Sequence, residues 1–238
     1  MISKNEVTCL IPARFNSARL PGKLLHTLGT STVIENVYNL AVNSNLFNDV
    51  LIVSGDKRIS DHCRLRDLNY IESLENFNSG SERIIYAAKK LKLSHWIVNL
   101  QGDQPFTTFN DFKSLLSRSS TQAATTLIVP KSHQAPNDSV YVSINDKNEI
   151  VTFSRKDIPS GHSKYVYNMH VGLYLYPKHV WEQENLFHNC PWSISESLEQ
   201  LNLICRGIKI LAATSKKDRI EINTQHDLDL ARTMMSEY

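Results

Sequence analysis

At 238 residues, with 26 lysines and arginines against 24 aspartates and glutamates, the chain carries a net charge of only +2. That balance argues against a dedicated nucleic-acid binder, whose basic face shifts the whole count. A hydrophobic share of 41% beside 21% charged residues likewise excludes disordered and fibrous classes. The length suits one large α/β domain or two small ones. No secretory leader, lipidation motif or run of about 18 apolar residues occurs, so a cytoplasmic location without a membrane partner is expected. Cys9, Cys63, Cys190 and Cys205 form no CxxC pair and have no histidine at zinc spacing. They read as buried thiols of a reducing compartment.

"EVTCLIPAR" reads as a first strand. "STVIENVYNLAVNS" sets Val33, Ile34, Val37, Leu40 and Ala41 at helical spacing behind Ser31 or Thr32 as N-cap. "DVLIVSGD" is a continuous apolar run that fits a buried parallel strand. "RISDHCRLRDL" follows as a helix, "NYIES" as a short strand, "SGSERIIYAAKKL" as a helix and "HWIVNLQGDQPF" as another buried strand. Strands alternating with helices predict a parallel sheet, with ligands outside the carboxyl ends of its strands. After Phe106 the pattern turns β-rich: "AATTLIVP", "SVYVSINDKNEIVTFSR" with a hairpin turn at "NDKN", and "YVYNMHVGLYLYP". One helix over "SISESLEQLNLICRG", a strand "IKILAAT" and a terminal helix "TQHDLDLARTMMSEY" capped by Thr224 complete an appended mixed sheet.

Three polar clusters follow three of the predicted strands. In "IPARFNSARLPGK" the cations Arg14, Arg19 and Lys23 lie on a loop stiffened by Pro12, Pro21 and Gly22. Arginine forks two phosphate oxygens and lysine adds a compact charge, so a triphosphate is the natural partner. Neither the Walker A nor the GxGxxG spacing is present. In "QGDQP", Asp103 sits just past an apolar strand, a usual place to hold Mg²⁺ against nucleotide phosphates, and Gly102 would let a ligand approach the backbone. In "NSGSER", Ser79, Gly80 and Ser81 open a helix; they suit a base edge, a ribose or an anion, and a plain N-cap explains them equally. Arg83 lies one turn further in.

"IPARFNSARLPGKLL", "SGSERI", "NLQGDQP", "FSRKDIP", "HVGLYLY" and "ESLEQL" resemble, in order and over nearly the whole chain, the cytidylyltransferases that make CMP-Kdo. Kdo is 3-deoxy-manno-octulosonate, an eight-carbon 2-keto sugar acid of bacterial lipopolysaccharide and capsule. The resemblance implies an α/β fold of the GT-A-like nucleotidyltransferase type. Its mainly parallel central sheet would carry an appended mixed-sheet region for substrate and dimerisation. One domain over 1–238 is expected, with a nucleotide-binding half (1–125) and a half for sugar binding and dimerisation (126–238). A Mg²⁺ requirement and a homodimer are implied as well. Position by position, Ala13, Arg14, Arg19, Lys23, Ser79, Gly80, Arg83 and Gln101 fall in the CTP site. Arg14, Lys23 and Asp103 take the catalytic roles, and Asp103 and Asn223 the metal. Gln101, Arg155, His170, Tyr174, Glu199 and Gln200 fall in the sugar-acid pocket.

The chain departs from that pattern at several points. Asn223 stands where a second metal-binding Asp belongs, after a residue pair that is usually small-then-Val. Phe77 replaces His, Gln104 replaces Glu, Tyr141 replaces Lys, Met169 replaces Arg and Asn202 replaces Arg. Several of these remove charge from a site for acids and phosphates. The alternatives they leave open are CMP transfer to another acid (an amino-Kdo, another ulosonate, a phosphonate) and a catalytically weak CTP-binding relative.

Overall fold

The computed structural model describes residues 2–73, 76–77, 79–132, 139–158, 166–187, 190–216 and 219–236. Asn78, Pro159, Tyr165, Glu237 and Tyr238, which fall in the sequence segments quoted above, lie outside the described residues. In chain order the elements are β1 (Val7–Pro12), β2 (Thr27–Leu28), β3 (Ser31–Thr32), α1 (Val33–Asn43), β4 (Asp49–Ser54), α2 (Lys57–Leu65), β5 (Tyr70–Glu72), α3 (Gly80–Lys90) and β6 (Trp96–Leu100). They continue with α4 (Phe109–Ser117), β7 (Ala124–Lys131), β8 (Tyr141–Ile144), β9 (Ile150–Ser154), β10 (Tyr167–Tyr176) and α5 (Lys178–Trp181). The last are α6 (Pro191–Glu196), α7 (Leu201–Cys205), β11 (Ile210–Thr214) and α8 (Gln225–Ser236).

Two compact units result. The first runs over Ser3–Phe109 and takes in the chain again from Arg219; the second covers the described residues from Asn110 to Lys216. Helix α8 therefore belongs with β1, β4, β5 and β6, although it lies far past residue 125. In the first unit β1 pairs in parallel with both β4 and β6, and β4 with β5. Every residue of β1 is buried, as expected of a strand covered on both faces. Helix α1 buries Val33, Ile34, Val37, Tyr38 and Ala41 along one stripe. Its start is a capping box: Thr32 Oγ1 accepts from the Glu35 amide, and Glu35 accepts from the Thr32 amide at 2.6 Å.

In the second unit β7 pairs in parallel with β11 and antiparallel with β10, while β8 joins β10 and β9 in an antiparallel run. The β8–β9 hairpin turns at Asn145, whose side chain accepts from the Lys147 and Glu149 amides, with Asn148 at φ 58°. Two sequence expectations are corrected here. The single helix over 193–207 divides into α6 and α7, because Ser197 takes a left-handed conformation (φ 52°) and lets α7 pack back on α6. That reversal also overturns the reading of four free thiols: Cys190 and Cys205, 15 residues apart, are joined as a disulfide, while Cys9 and Cys63 remain buried thiols. Helix α4, which buries Phe112, Leu115 and Leu116 at helical spacing, is an addition to the predicted elements.

Candidate active site

Strand β1 ends at Pro12, and Ala13, 2% exposed, donates its amide to Val53 O on β4 at 2.9 Å. The loop beyond closes on itself. Gly22 (φ 67°) donates to Phe15 O at 3.0 Å, and a Cβ on Gly22 would come within 2.9 Å of the Phe15 ring. The Arg58 guanidinium, 3.5 Å from the centre of the same ring, is held by Asp56 through two bonds of 2.9 and 2.7 Å. From this closed loop a 3-10 turn (Lys23–Leu25) launches Lys23.

The Lys23 ammonium donates to Asp103 Oδ2 at 2.5 Å and to Asn223 Oδ1 at 3.1 Å. Asp103 sits in a turn that follows β6, in which Gln104 N donates to Gln101 O and Thr107 Oγ1 to Gln104 O. Asn223 is fixed at the start of α8: its amide and the amide and hydroxyl of Thr224 all donate to Asp227 Oδ2, and the Asp227 amide donates to Thr224 Oγ1. The backbone of Ile222 donates to Asp103 O at 3.0 Å, which ties the two segments together. The structure thus brings together Lys23, Asp103 and Asn223. Gly102 also has a packing role. A Cβ there would lie 3.1–3.3 Å from Ile34 Cδ1, Pro12 O and Leu24 Cδ1, so its bareness serves packing against the chain itself.

Arg83, on the first turn of α3, is half-buried; burial and the nearby Arg14 guanidinium both pull its pKa down. Two cations held near each other, one of them partly desolvated, make a place where an anion is stabilising. Arg19 is exposed. Ser79 caps α3 by accepting from the Glu82 amide at 3.2 Å, so the cap reading of that serine describes its hydroxyl here. Gly80 lies against the Pro12 ring and beside the Gln101 amide. Gln101 Nε2 donates to Asn99 Oδ1, and Asn99 Nδ2 to Ser81 Oγ, each at 3.1 Å.

The predicted sugar-pocket residues other than Gln101 lie in the second unit. Tyr174 OH and His170 Nε2 share a hydrogen bond of 2.7 Å, across a bulge between Val171 and Tyr174 that the buried Thr126 hydroxyl fills, 3.1 and 2.9 Å from the carbonyls of Val171 and Leu173. The His170 ring also meets Phe153 edge-on at 5.2 Å. This enclosure, and secondarily the Arg155 charge, push the imidazole down to about 3, so it is neutral near pH 7. The Arg155 amide donates to Glu196 Oε2 at 2.9 Å. Glu199 and Gln200 stand in the turn between α6 and α7, Gln200 6% exposed, inside the stretch that the disulfide closes.

Sequence reasoning missed Glu221 and the pairing of Gln104. Gln104 is fully buried, its Nε2 donates to Glu221 Oε1 at 2.6 Å, and its Oε1 is buried without a partner. Burial, then Asp103, raises the Glu221 carboxyl, while Gln104, Lys23 and Arg219 act in the other direction. A signal was available in "EIN", where Ile222 is wholly buried and flanked by two polar side chains. Asn202 was also passed over as a structural residue: its Oδ1 accepts from the Cys190 amide and the Ser193 hydroxyl.

Cations and an oxygen-rich cluster beyond the ends of parallel strands stand where open α/β sheets bind their ligands, and the family match gives the class, a nucleotidyltransferase. The chain belongs to the cytidylyltransferase family, whose model matches residues 8–210. It is 31% identical to a 3-deoxy-manno-octulosonate cytidylyltransferase of Flavobacterium johnsoniae, over 97% of this chain and 98% of that protein. It is 29% identical to one from Christiangramia forsetii, over 98% of each. Among solved structures, a CMP:2-keto-3-deoxy-manno-octonic acid synthetase complexed with CTP superposes with a TM-score of 0.91 at 28% identity, covering 98% of this chain and 99% of that one. These matches agree with the expected nucleotidyltransferase fold.

Proposed function

We propose that this protein transfers CMP from CTP to 3-deoxy-manno-octulosonate and releases pyrophosphate. The observation that carries the reading is the convergence of Lys23 on Asp103 and Asn223 beside the ends of parallel strands. The named relatives support both the nucleotide and the sugar acid.

In the reaction, the anomeric hydroxyl oxygen of the acceptor bonds to the α-phosphorus as the bond from that phosphorus to the leaving pyrophosphate breaks. The hydroxyl proton passes to solvent. Arg14, Arg19 and Lys23 neutralise the leaving group, and Arg83 adds to the same positive field. Positioning carries much of the rate, since little covalent work falls to the protein. The donor set fits a divalent cation: Asp103 and Asn223 offer oxygens that already meet on an ammonium, and hard oxygens suit Mg²⁺. These two residues would hold the ion, which supplies Lewis-acid polarisation of phosphoryl oxygens when bound. Arg155 offers the acceptor carboxylate a cation, and neutral His170 with Tyr174 gives the pocket hydrogen-bonding without added charge. Gln101, Glu199 and Gln200 complete the sugar-acid set in this reading.

The reading includes a homodimer, supported by exposed Val151, Val166, Trp192 and Ile194 in the second unit. Among the described residues no helix is long and apolar enough to cross a membrane; a cytoplasmic setting is part of the proposal. Pyrophosphate release from CTP, assayed with a panel of 2-keto sugar acids and phosphonates, tests it. Release that depends on 3-deoxy-manno-octulosonate is expected. Release with a different acid alone would replace the acceptor, and none with any acid would leave a CTP-binding relative.

A further inference from the structure

We infer that Glu221 supplies a second carboxylate to the cation site, held in place by Gln104, so that Asp103 does not bear the charge of a divalent ion alone. The inference deepens the proposed CTP-dependent reading and rests on it.

Four observations carry it. The Glu221 carboxylate is bonded at 2.6 Å to Gln104, a side chain with no exposure, so its position is set by the core and not by solvent. The remaining oxygen of that same amide is buried and unpartnered. An orphaned buried acceptor costs about 1–3 kcal/mol, and a hydrated cation beside Glu221 is a partner that would satisfy it. Ile222 is anchored to the Asp103 carbonyl, which sets Glu221 and Asn223 on either side of that anchor. Finally, the Lys23 ammonium already marks a cation position between Asp103 and Asn223.

Charge shows why the second carboxylate matters. Asn223 offers a dipole and no charge. With Lys23 in place, the two basic and two acidic groups balance. When a triphosphate draws Lys23 away, Asp103 and Glu221 outweigh Arg219 by one negative charge, and a dication is attracted. An uncharged side chain at 221 would remove that excess. The buried amide at 104 is the positioning residue: it donates to the carboxylate without competing with it for the cation.

The test measures Mn²⁺ uptake directly, by the electron spin resonance of free Mn²⁺, at saturating CTP. Glu221→Gln keeps shape and hydrogen bonding and removes the charge. It should weaken Mn²⁺ about ten-fold while leaving CTP binding in metal-free buffer at least as strong. Adding Asn223→Asp to Glu221→Gln should restore Mn²⁺ affinity, which a merely structural role would not do. Mn²⁺ affinity within two-fold of the unsubstituted protein overturns the inference. A loss matched by an equal loss of metal-free CTP binding and of thermal stability, and not rescued by Asn223→Asp, also overturns it. If the unsubstituted protein takes up no Mn²⁺ with CTP, the nucleotide reading falls first and this inference with it.

Discussion

At the scale of single residues, Lys23 is the side chain whose surroundings say most. Its side chain is mostly covered, 14% exposed, and its ammonium is shared between a carboxylate and an amide oxygen. A triphosphate must offer it better partners than these to draw it away. Lys23→Ala is therefore expected to weaken CTP by about ten-fold, roughly 1.4 kcal/mol, and CMP much less. Equal losses for the two nucleotides in calorimetry would take Lys23 off the outer phosphates. His170 makes a prediction of a different kind. Folded, it stays neutral down to about 3, whereas the unfolded chain takes up a proton near 6.5. Between those values the unfolded state binds more protons, so stability falls as the pH drops from 6.5 towards 3. Denaturant unfolding at about pH 7 and about pH 5 should show a smaller difference between the two conditions in His170→Gln. An unchanged difference would mean the ring is not held neutral by its enclosure.

At the scale of elements, the loop from Cys190 to Cys205 carries Glu199 and Gln200 between two short helices and a disulfide. Closing a loop of this length is worth about 3 kcal/mol in chain entropy. Reduction should therefore lower the urea midpoint of the second unit and raise KM for the sugar acid more than KM for CTP. A midpoint indifferent to dithiothreitol would show that packing of α7 alone holds the loop. This element also shows where the sequence stops being legible. Strands β1, β4 and β6 could be read because apolar runs buried on both faces leave no other use for their residues. The break at Ser197 could not, because a serine in left-handed conformation carries none of the glycine or asparagine signal that marks such turns. Helix α4 was hidden for another reason. Its nine residues lie between threonine-rich β-like stretches, so Phe112, Leu115 and Leu116 do not stand out as a stripe. In the site, Lys23, Asp103 and Asn223 were legible from motif position. The bond from Gln104 to Glu221 was not, since the tertiary fold brings those residues together across 117 positions.

At the scale of the whole molecule, the chain divides into two compact units: Lys23, Asp103 and Asn223 lie in the first, and His170, Tyr174, Glu199 and Gln200 in the second. Gln101, expected in the sugar-acid pocket, lies in the first unit. The second unit also exposes Trp192 and Ile194 on α6, 44% and 62% exposed, which is costly for a monomer in water. Ile194→Asp is expected to shift the protein from dimer to monomer in light scattering with its thermal unfolding unchanged. A monomer before substitution would remove dimerisation from the account.

The central claim is CMP transfer organised by the Lys23–Asp103–Asn223 cluster. Phosphorus NMR of the protein with CTP, Mg²⁺ and 3-deoxy-manno-octulosonate tests it most directly. The account predicts one new phosphodiester resonance growing in step with free pyrophosphate, and its loss by at least ten-fold in Asp103→Asn, roughly 1.4 kcal/mol or more of barrier. CMP and pyrophosphate without the phosphodiester, or full product formation by Asp103→Asn, would contradict it.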